Sequence, residues 1–202
     1  MIIGPDFVWI HFPKCGGVSV QSALKKALKD RADVKFDDIT DYQRIIWHQN
    51  VPQRAAYDPS FDPSGKRIIC CIRRLPYWML SRVHFEAEQP PGFYTGTREM
   101  LVSGNFYERN GRINKADTYM RMYARPKVDY WVRTENLAQD LVTAFSLLPN
   151  ELVLEKENAT GASYIKSLDF WFTPRELAML YEANPLWAEI EARVYGDLLS
   201  VK

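Results

Sequence analysis

The sequence predicts an α/β fold with a central, mainly parallel sheet flanked by helices. Three segments carry that prediction. Residues 6–12 form an apolar run that passes through Pro13-Lys14-Cys15-Gly16-Gly17 into a helical pattern. Residues 67–73 form a second apolar run, and Pro76 opens another helix just beyond it. Residues 129–133 form a third, again with a helical pattern behind it. Short, nearly continuous apolar runs suit strands buried on both faces, and strand–helix alternation suits parallel connections.

The elements follow in order. The run Asp6-Phe7-Val8-Trp9-Ile10-His11-Phe12 is rich in strand formers, and Val18 to Leu28 continues as a helix near 17–30. Residues 33–65 are mixed, with room for a short strand or helix and a Pro/Asp/Ser-rich loop at 58–65. The strand near 67–73 leads to a helix near 76–88, because proline favours the first turn. Gln89-Pro90-Pro91-Gly92 breaks that helix. Residues 93–125 read as an insertion with short helices, 114–123 among them. A strand near 129–133 and a helix near 136–148 follow. Thr173-Pro174-Arg175-Glu176 is a capping box with proline at the first helical position. It opens a helix to about 183 that resumes over 185–195. No long linker or internal repeat divides the chain, so residues 1–202 read as one domain with a helical insertion near 89–125.

Composition bounds the function. The 202 residues suffice for one α/β domain with a real core, and 47% apolar and 13% aromatic residues are globular values. A net charge of +1 argues against a general nucleic-acid binder, which needs excess positive charge. It leaves room for a local basic pocket around one small polyanion. No apolar run approaches about eighteen residues, so no membrane span is expected. The first residues lack the features of a signal peptide, which leads us to expect a cytoplasmic protein or a trimmed catalytic domain. Cys70 and Cys71 alternate within a strand and read as small buried hydrophobes. The histidines and cysteines have no metal-ligand spacing, so no metal is expected.

Strand, glycine turn and helix, in that order, make a phosphate cradle. Glycines let the backbone approach an anion, and the new helix offers free N–H groups and the positive end of its dipole. Lys14 adds a full charge there, and Gly16, Gly17, Val18 and Ser19 supply the N–H groups. The loop departs from GxxxxGK[ST]: Lys14 precedes its glycines and its neighbour is Cys15, so the hydroxyl that holds magnesium is missing. Cys15 at a helix start beside Lys14 also has the setting that lowers a thiol pKa, although a plain loop substitution accounts for it more simply.

The order Pro13-Lys14-Cys15-Gly16-Gly17-Val18-Ser19 resembles the 5′-phosphosulfate loop of the sulfotransferases, Pro-Lys-(Thr/Ser)-Gly-(Gly/Thr)-Thr-Ser, with Cys15 and Val18 in place of hydroxyl residues. That family has an arginine at a strand end and a serine eight residues later, both on the donor's 3′-phosphate. Arg73 and Ser81 have that separation. Arg74 remains a second candidate, because the family's proline stands two residues after its arginine and Pro76 is two after Arg74. Arg133-Thr134-Glu135-Asn136-Leu137 resembles the late Arg-x-Glu-Asn-Leu of Golgi-type and bacterial carbohydrate sulfotransferases, and Glu157-Asn158-Ala159-Thr160 sits where those enzymes often have Asn-x-Ser.

The resemblance implies a three-layer, P-loop-like fold and in-line transfer of a sulfuryl group from 3′-phosphoadenosine 5′-phosphosulfate (PAPS) to a hydroxyl, releasing PAP without a metal. His48 is the candidate base, because its unperturbed pKa lies near neutrality and the family often places a histidine after its second strand. His11 and His84 are rivals, with support of Lys14 and packing as their simpler roles. The acceptor is expected to be a saccharide or another small molecule. Phe93, Tyr94, Phe106, Tyr107, Tyr119 and Tyr123, interleaved with arginines, could stack on sugars or form a helical subdomain with a basic face. Oligomeric state is left open. Two alternatives stand beside this reading: a nucleotide kinase-like phosphotransferase, and a non-catalytic module that binds PAP or another nucleotide.

Overall fold

The computed structural model describes residues 1–40, 46–88, 97–154 and 164–201. Its contacts divide the chain into two compact units, Met1–Ile72 with Met122–Asn158, and Arg73–Arg121 with Ala159–Lys202.

The first unit is α/β, built on a five-stranded sheet flanked by helices. Its strands are β1 (Ile2–Ile3), β2 (Phe7–Ile10), β3 (Lys35–Phe36), β4 (Arg67–Ile72) and, late in the chain, Tyr130–Arg133, which becomes β7 below. Spatial order is β3-β1-β2-β4-β7. The pairs β2/β4 and β4/β7 are parallel, whereas β1/β2 and β1/β3 are antiparallel. The sheet is therefore mixed, not mainly parallel as expected. The cause is a tight turn at Gly4-Pro5-Asp6, closed by Gly4 N–H donating to the Phe7 carbonyl at 2.9 Å, which folds β1 back onto β2 as a hairpin. Phe7–Ile10 and Ile68–Ile72 are buried throughout, Cys70 and Cys71 included, as strands covered on both faces require.

Helix α1 (Gly17–Ala27) follows β2 through the glycine loop and carries Lys25 and Lys26 in its last turn, where cations suit the dipole. Helix α2 (Val51–Tyr57) is set by a complete capping box: the Asn50 side chain accepts from Gln53 N–H at 2.9 Å and Gln53 accepts from Asn50 N–H at 3.0 Å. Arg54, near the end of α2, is buried and forms two hydrogen bonds with Asp37.

The second unit is mainly helical. It contains α3 (Leu75–Glu88), α4 (Arg98–Ser103), the hairpin β5 (Asn105–Tyr107) and β6 (Ile113–Lys115), and most of α5 (Ala116–Tyr123). Short helices were expected across 93–125, yet the middle of that stretch is a hairpin. Gly111 adopts φ 78°, and Glu108 N–H donates to the Arg112 carbonyl at 2.8 Å to close the turn. The break at 89–92 and residues 93 and 94 lie outside the described residues, as does 157–160.

After β7 (Tyr130–Arg133), α6 (Leu137–Phe145) completes the first unit, and Ser146 in a left-handed conformation stops it three residues before the expected 148. In the second unit come α7 (Leu168–Trp171), α8 (Pro174–Ala183) and α9 (Pro185–Tyr195). The Thr173/Glu176 capping box forms as the sequence predicts, and Arg98 makes paired hydrogen bonds to Glu176 at 2.5 and 2.7 Å. No helix among the described residues is long and apolar enough to cross a membrane.

Candidate functional site

Residues 11–19 leave β2 and build the loop. Lys14 is left-handed at φ 65° and Gly16 at φ 74°, so two residues with positive φ flank Cys15. Such alternation turns successive N–H groups toward one concave side, the geometry of an anion nest. A left-handed lysine is disfavoured, and residues held that way cluster at functional loops. Gly16 is also the N-cap of α1. It offers no side-chain cap, and the first turn of α1 has no acidic residue. α1 thus starts without the capping box that opens α2 and α8. Lys14, Gly16, Val18 and Ser19 are half-buried, whereas Cys15 is fully buried. That burial gives the Cys15 thiol the setting of a packing group and not of a reachable nucleophile.

Two supports hold this loop. The His11 ring lies against Gly17, where an added Cβ would stand 2.0 Å from Nε2. Only glycine fits there. Leu137 and Thr134, in the turn between β7 and α6, flank Gly16 at 3.1 and 3.9 Å from an added Cβ. Asp140 fixes that turn: its carboxylate accepts from Arg133 N–H and Nε at 2.8 Å, Arg133 Nη2 at 2.7 Å and Asn136 at 2.9 Å. Burial acts to raise the Asp140 carboxyl, and these donors outweigh it and hold it below its ordinary value. Thr134 Oγ1 adds a bond to the Ile72 carbonyl at 2.9 Å. The Arg-Thr-Glu-Asn-Leu stretch thus braces the loop.

His48 lies in a single 3-10 turn, Ile46–His48, and does not follow a parallel strand. Its Nδ1 is 3.1 Å from the His11 carbonyl, so Nδ1–H donates and the neutral ring carries its lone pair on Nε2. The His48 carbonyl accepts from Tyr123 Oη at 2.6 Å, and Tyr123 stacks on Phe12 with centroids 4.6 Å apart. The two imidazoles are 4.6 Å apart. Burial first, then His48, keeps His11 well below its ordinary pKa, so it is a neutral wedge under the loop. Gly17, His11 and His48 are consecutive contacts, which join the candidate base to the cradle inside the first unit.

In the second unit, Arg73 follows β4 directly and is half-buried; its carbonyl accepts from Trp187 Nε1 at 3.2 Å. Arg74 is committed elsewhere. Its guanidinium donates to Asp197 Oδ1 at 2.5 Å and carbonyl at 2.8 Å, approaches Glu191 at 3.3 Å and lies 4.0 Å over the Tyr195 ring. Ser81 sits on α3 with 4% of its surface exposed. His84 donates from Nδ1 to the Leu80 carbonyl at 2.7 Å and stacks on Tyr164 at 4.2 Å, a packing role. Phe106 and Tyr119 also pack inward: the Arg82 guanidinium lies 4.9 and 5.1 Å from their rings. Tyr119 donates to Glu108 at 2.8 Å, and burial pushes its hydroxyl up to about 12.

Sequence reasoning missed Asp140, whose partners Arg133 and Asn136 stand only 7 and 4 residues before it, and Glu191, whose partners Arg74 and Leu75 are brought to it by tertiary contacts. It also missed the role of Asn50-x-x-Gln53, which was legible as a capping box opening a helix just after His48. Among the described residues no cluster of three or more His, Cys, Asp or Glu side chains is arranged to hold a metal ion. No family model, curated protein or solved structure matches the chain.

Proposed function

We propose that this protein is a PAPS-dependent sulfotransferase, of three-layer P-loop-like fold, that moves a sulfuryl group to a hydroxyl of a saccharide or other small acceptor. The observation that carries the reading is the start of α1: a left-handed Lys14, a left-handed Gly16 and a helix end without a side-chain cap. That combination suits a phosphate or sulfate oxygen better than a plain tight turn, which needs neither the lysine nor two left-handed residues in succession around one position.

In this reading the acceptor oxygen attacks sulfur in line and the bridging S–O bond to the phosphate breaks. The transition state is loose and charge-dispersed, as in phosphoryl transfer. Lys14 and the N–H groups of Gly16 to Ser19 stabilise the charge that grows on the leaving phosphate. His48 Nε2 accepts the hydroxyl proton, and the His11 carbonyl holds the ring in that tautomer. Arg73, with Ser81, takes the 3′-phosphate, which distinguishes PAPS from ATP. The loop departs from the magnesium-holding pattern, so lysine and helix dipole neutralise the leaving group. A cytoplasmic location belongs to the same reading. The resemblance of Lys14–Ser19 and Arg73–Ser81 to the sulfotransferase motifs supports it.

Calorimetric titration of PAP, with and without magnesium and against ATP, tests the proposal. Expected is PAP binding indifferent to magnesium and lost in Lys14→Ala. Preference for magnesium-ATP would move the protein to the kinase-like class. PAP binding without any transfer from PAPS across a panel of sugars and phenols would favour the non-catalytic module.

A further inference from the structure

We infer that Tyr123 is a positioning residue for the transfer step: it anchors the His48 main chain beside the strand end that carries His11, and so keeps the His48 lone pair on Nε2. The inference rests on the transfer reading above, and Phe12, His48 and Tyr123 all belong to the first unit.

His48 stands in a turn with little internal support. Ile46–His48 is one 3-10 turn of three residues, a geometry that holds poorly by itself. Its first carbonyl is secured from α2 and its approach: Ile46 accepts from Gln49 N–H at 3.0 Å and from Arg54 Nη2 at 3.0 Å. Its last carbonyl is secured from much further along the chain, by Tyr123 Oη at 2.6 Å across 75 residues. The Tyr123 ring is itself fixed by stacking on Phe12, with centroids 4.6 Å apart and planes 16° from parallel. Phe12 is the neighbour of His11, whose carbonyl accepts from His48 Nδ1–H at 3.1 Å. These contacts close a ring of three grips. His11 holds the imidazole, Phe12 holds Tyr123, and Tyr123 holds the His48 backbone. Phe12 is fully buried and Tyr123 is 3% exposed, whereas His48 is half-buried.

That burial changes the role of Tyr123. Its sequence neighbours suggested an aromatic that stacks on a sugar, but a ring this buried has almost no surface to offer one. Nor does packing call for its hydroxyl, since phenylalanine would fill the same stack. A buried hydroxyl costs free energy unless it is bonded, so what tyrosine supplies here is the bond to the His48 carbonyl. With Nδ1–H alone held, the imidazole could follow any shift of its short turn. With the main chain held as well, the ring has two fixed points. The bond at Nδ1 then sets the tautomer and leaves Nε2 as the basic nitrogen. Nε2 takes the hydroxyl proton as the new O–S bond forms and the S–O bond to the phosphate breaks.

The test reads the imidazole directly. In nitrogen-15-labelled wild type at about pH 8, above the ordinary histidine range, the His48 ring is expected to show a protonated Nδ1 and a bare Nε2. Tyr123→Phe keeps the stack and removes only the donor. It is expected to turn that spectrum into an average of both tautomers. It should also lower kcat for sulfuryl transfer from PAPS to the best acceptor among sugars and phenols about tenfold or more, with PAP affinity within about twofold of wild type. A merely structural Tyr123 would lower the urea midpoint and leave tautomer and kcat where they were. That result in folded Tyr123→Phe overturns the inference, and so does a wild-type His48 with Nε2 protonated. If Tyr123→Phe does not fold, Phe12→Leu removes the face under Tyr123 and is read against the same spectrum and the same kcat. Wild type that binds no PAP, or transfers to no acceptor, overturns the transfer reading itself; the tautomer comparison still decides whether Tyr123 holds His48.

Discussion

The two units meet their chemical demands by different means. In the first, the groups proposed to meet an anion are main-chain N–H groups, in a loop shaped by left-handed residues at positions 14 and 16 and by a ring packed on Gly17. In the second, the candidate group is a guanidinium, and its setting comes from buried charge: Glu191 at 0% exposure joins Arg74, Leu75 and Tyr181. A backbone device depends on what is absent, a Cβ or a capping side chain. A charge device depends on every partner being present. The first should fail by overcrowding and the second by deletion.

Deletion in the second unit should have the largest effect. Glu191→Ala leaves Leu75 N–H and the Tyr181 hydroxyl without their acceptor and Arg74 with one carboxylate; urea unfolding should show a loss of about 4 kcal/mol. Asp197→Asn, at the exposed end of the same network, should change stability by less than about 1 kcal/mol. Equal losses would mean that burial is not what makes the network matter.

Overcrowding in the first unit comes next. Gly17→Ala forces a Cβ into the buried His11 ring and should cost about 3 kcal/mol, whereas alanine at Gly65, left-handed but with open space around it, should cost about 1 kcal/mol. If both cost the same, the His11 wedge is not what demands glycine.

The third test is pH. His11 stays neutral in the folded protein because burial, then His48, lowers its pKa, while in the unfolded chain it titrates near about 6.5. Below that value the unfolded state takes up a proton that the folded state refuses. Stability is therefore fully present above it and falls with decreasing pH, by about 1 kcal/mol between pH 6.5 and 5.5. Other groups titrate too, so the comparison is between wild type and His11→Gln: the difference in slope isolates the ring. Identical slopes would place a charged or exposed imidazole at position 11. The smallest expected stability effect is at Lys14. Lys14→Gly relieves a left-handed conformation and should change stability by about 1 kcal/mol or less in the favourable direction, while removing nucleotide binding.

The same contrast governs what could be read from the sequence. The strands at 7–10, 67–72 and 130–133 and the helices at 17–27, 75–88, 174–183 and 185–195 rest on local apolar periodicity and capping, so their patterns announce them. The glycine loop is legible for the same reason. Strands β1 and β3 have two residues each, too few for any period, and their antiparallel pairing turned an expected mainly parallel sheet into a mixed one. The β5–β6 hairpin did carry a local signal, Asn110-Gly111, in a stretch whose composition suggested short helices. The roles of Arg73 and Arg74 could not be separated, because the partners of Arg74 lie 117 and 123 residues away. The bracing of Gly16 by Leu137 is hidden likewise, since a loop and a turn meet only through the fold.

The N–H groups opening α1 are proposed to form an anion cradle, and amide nuclear magnetic resonance reads them individually. On adding PAP, the Gly16, Gly17, Val18 and Ser19 amide resonances should shift together along one saturating curve, and Lys14→Ala should abolish those shifts. Saturable binding of PAP that leaves these four amides unmoved would contradict it.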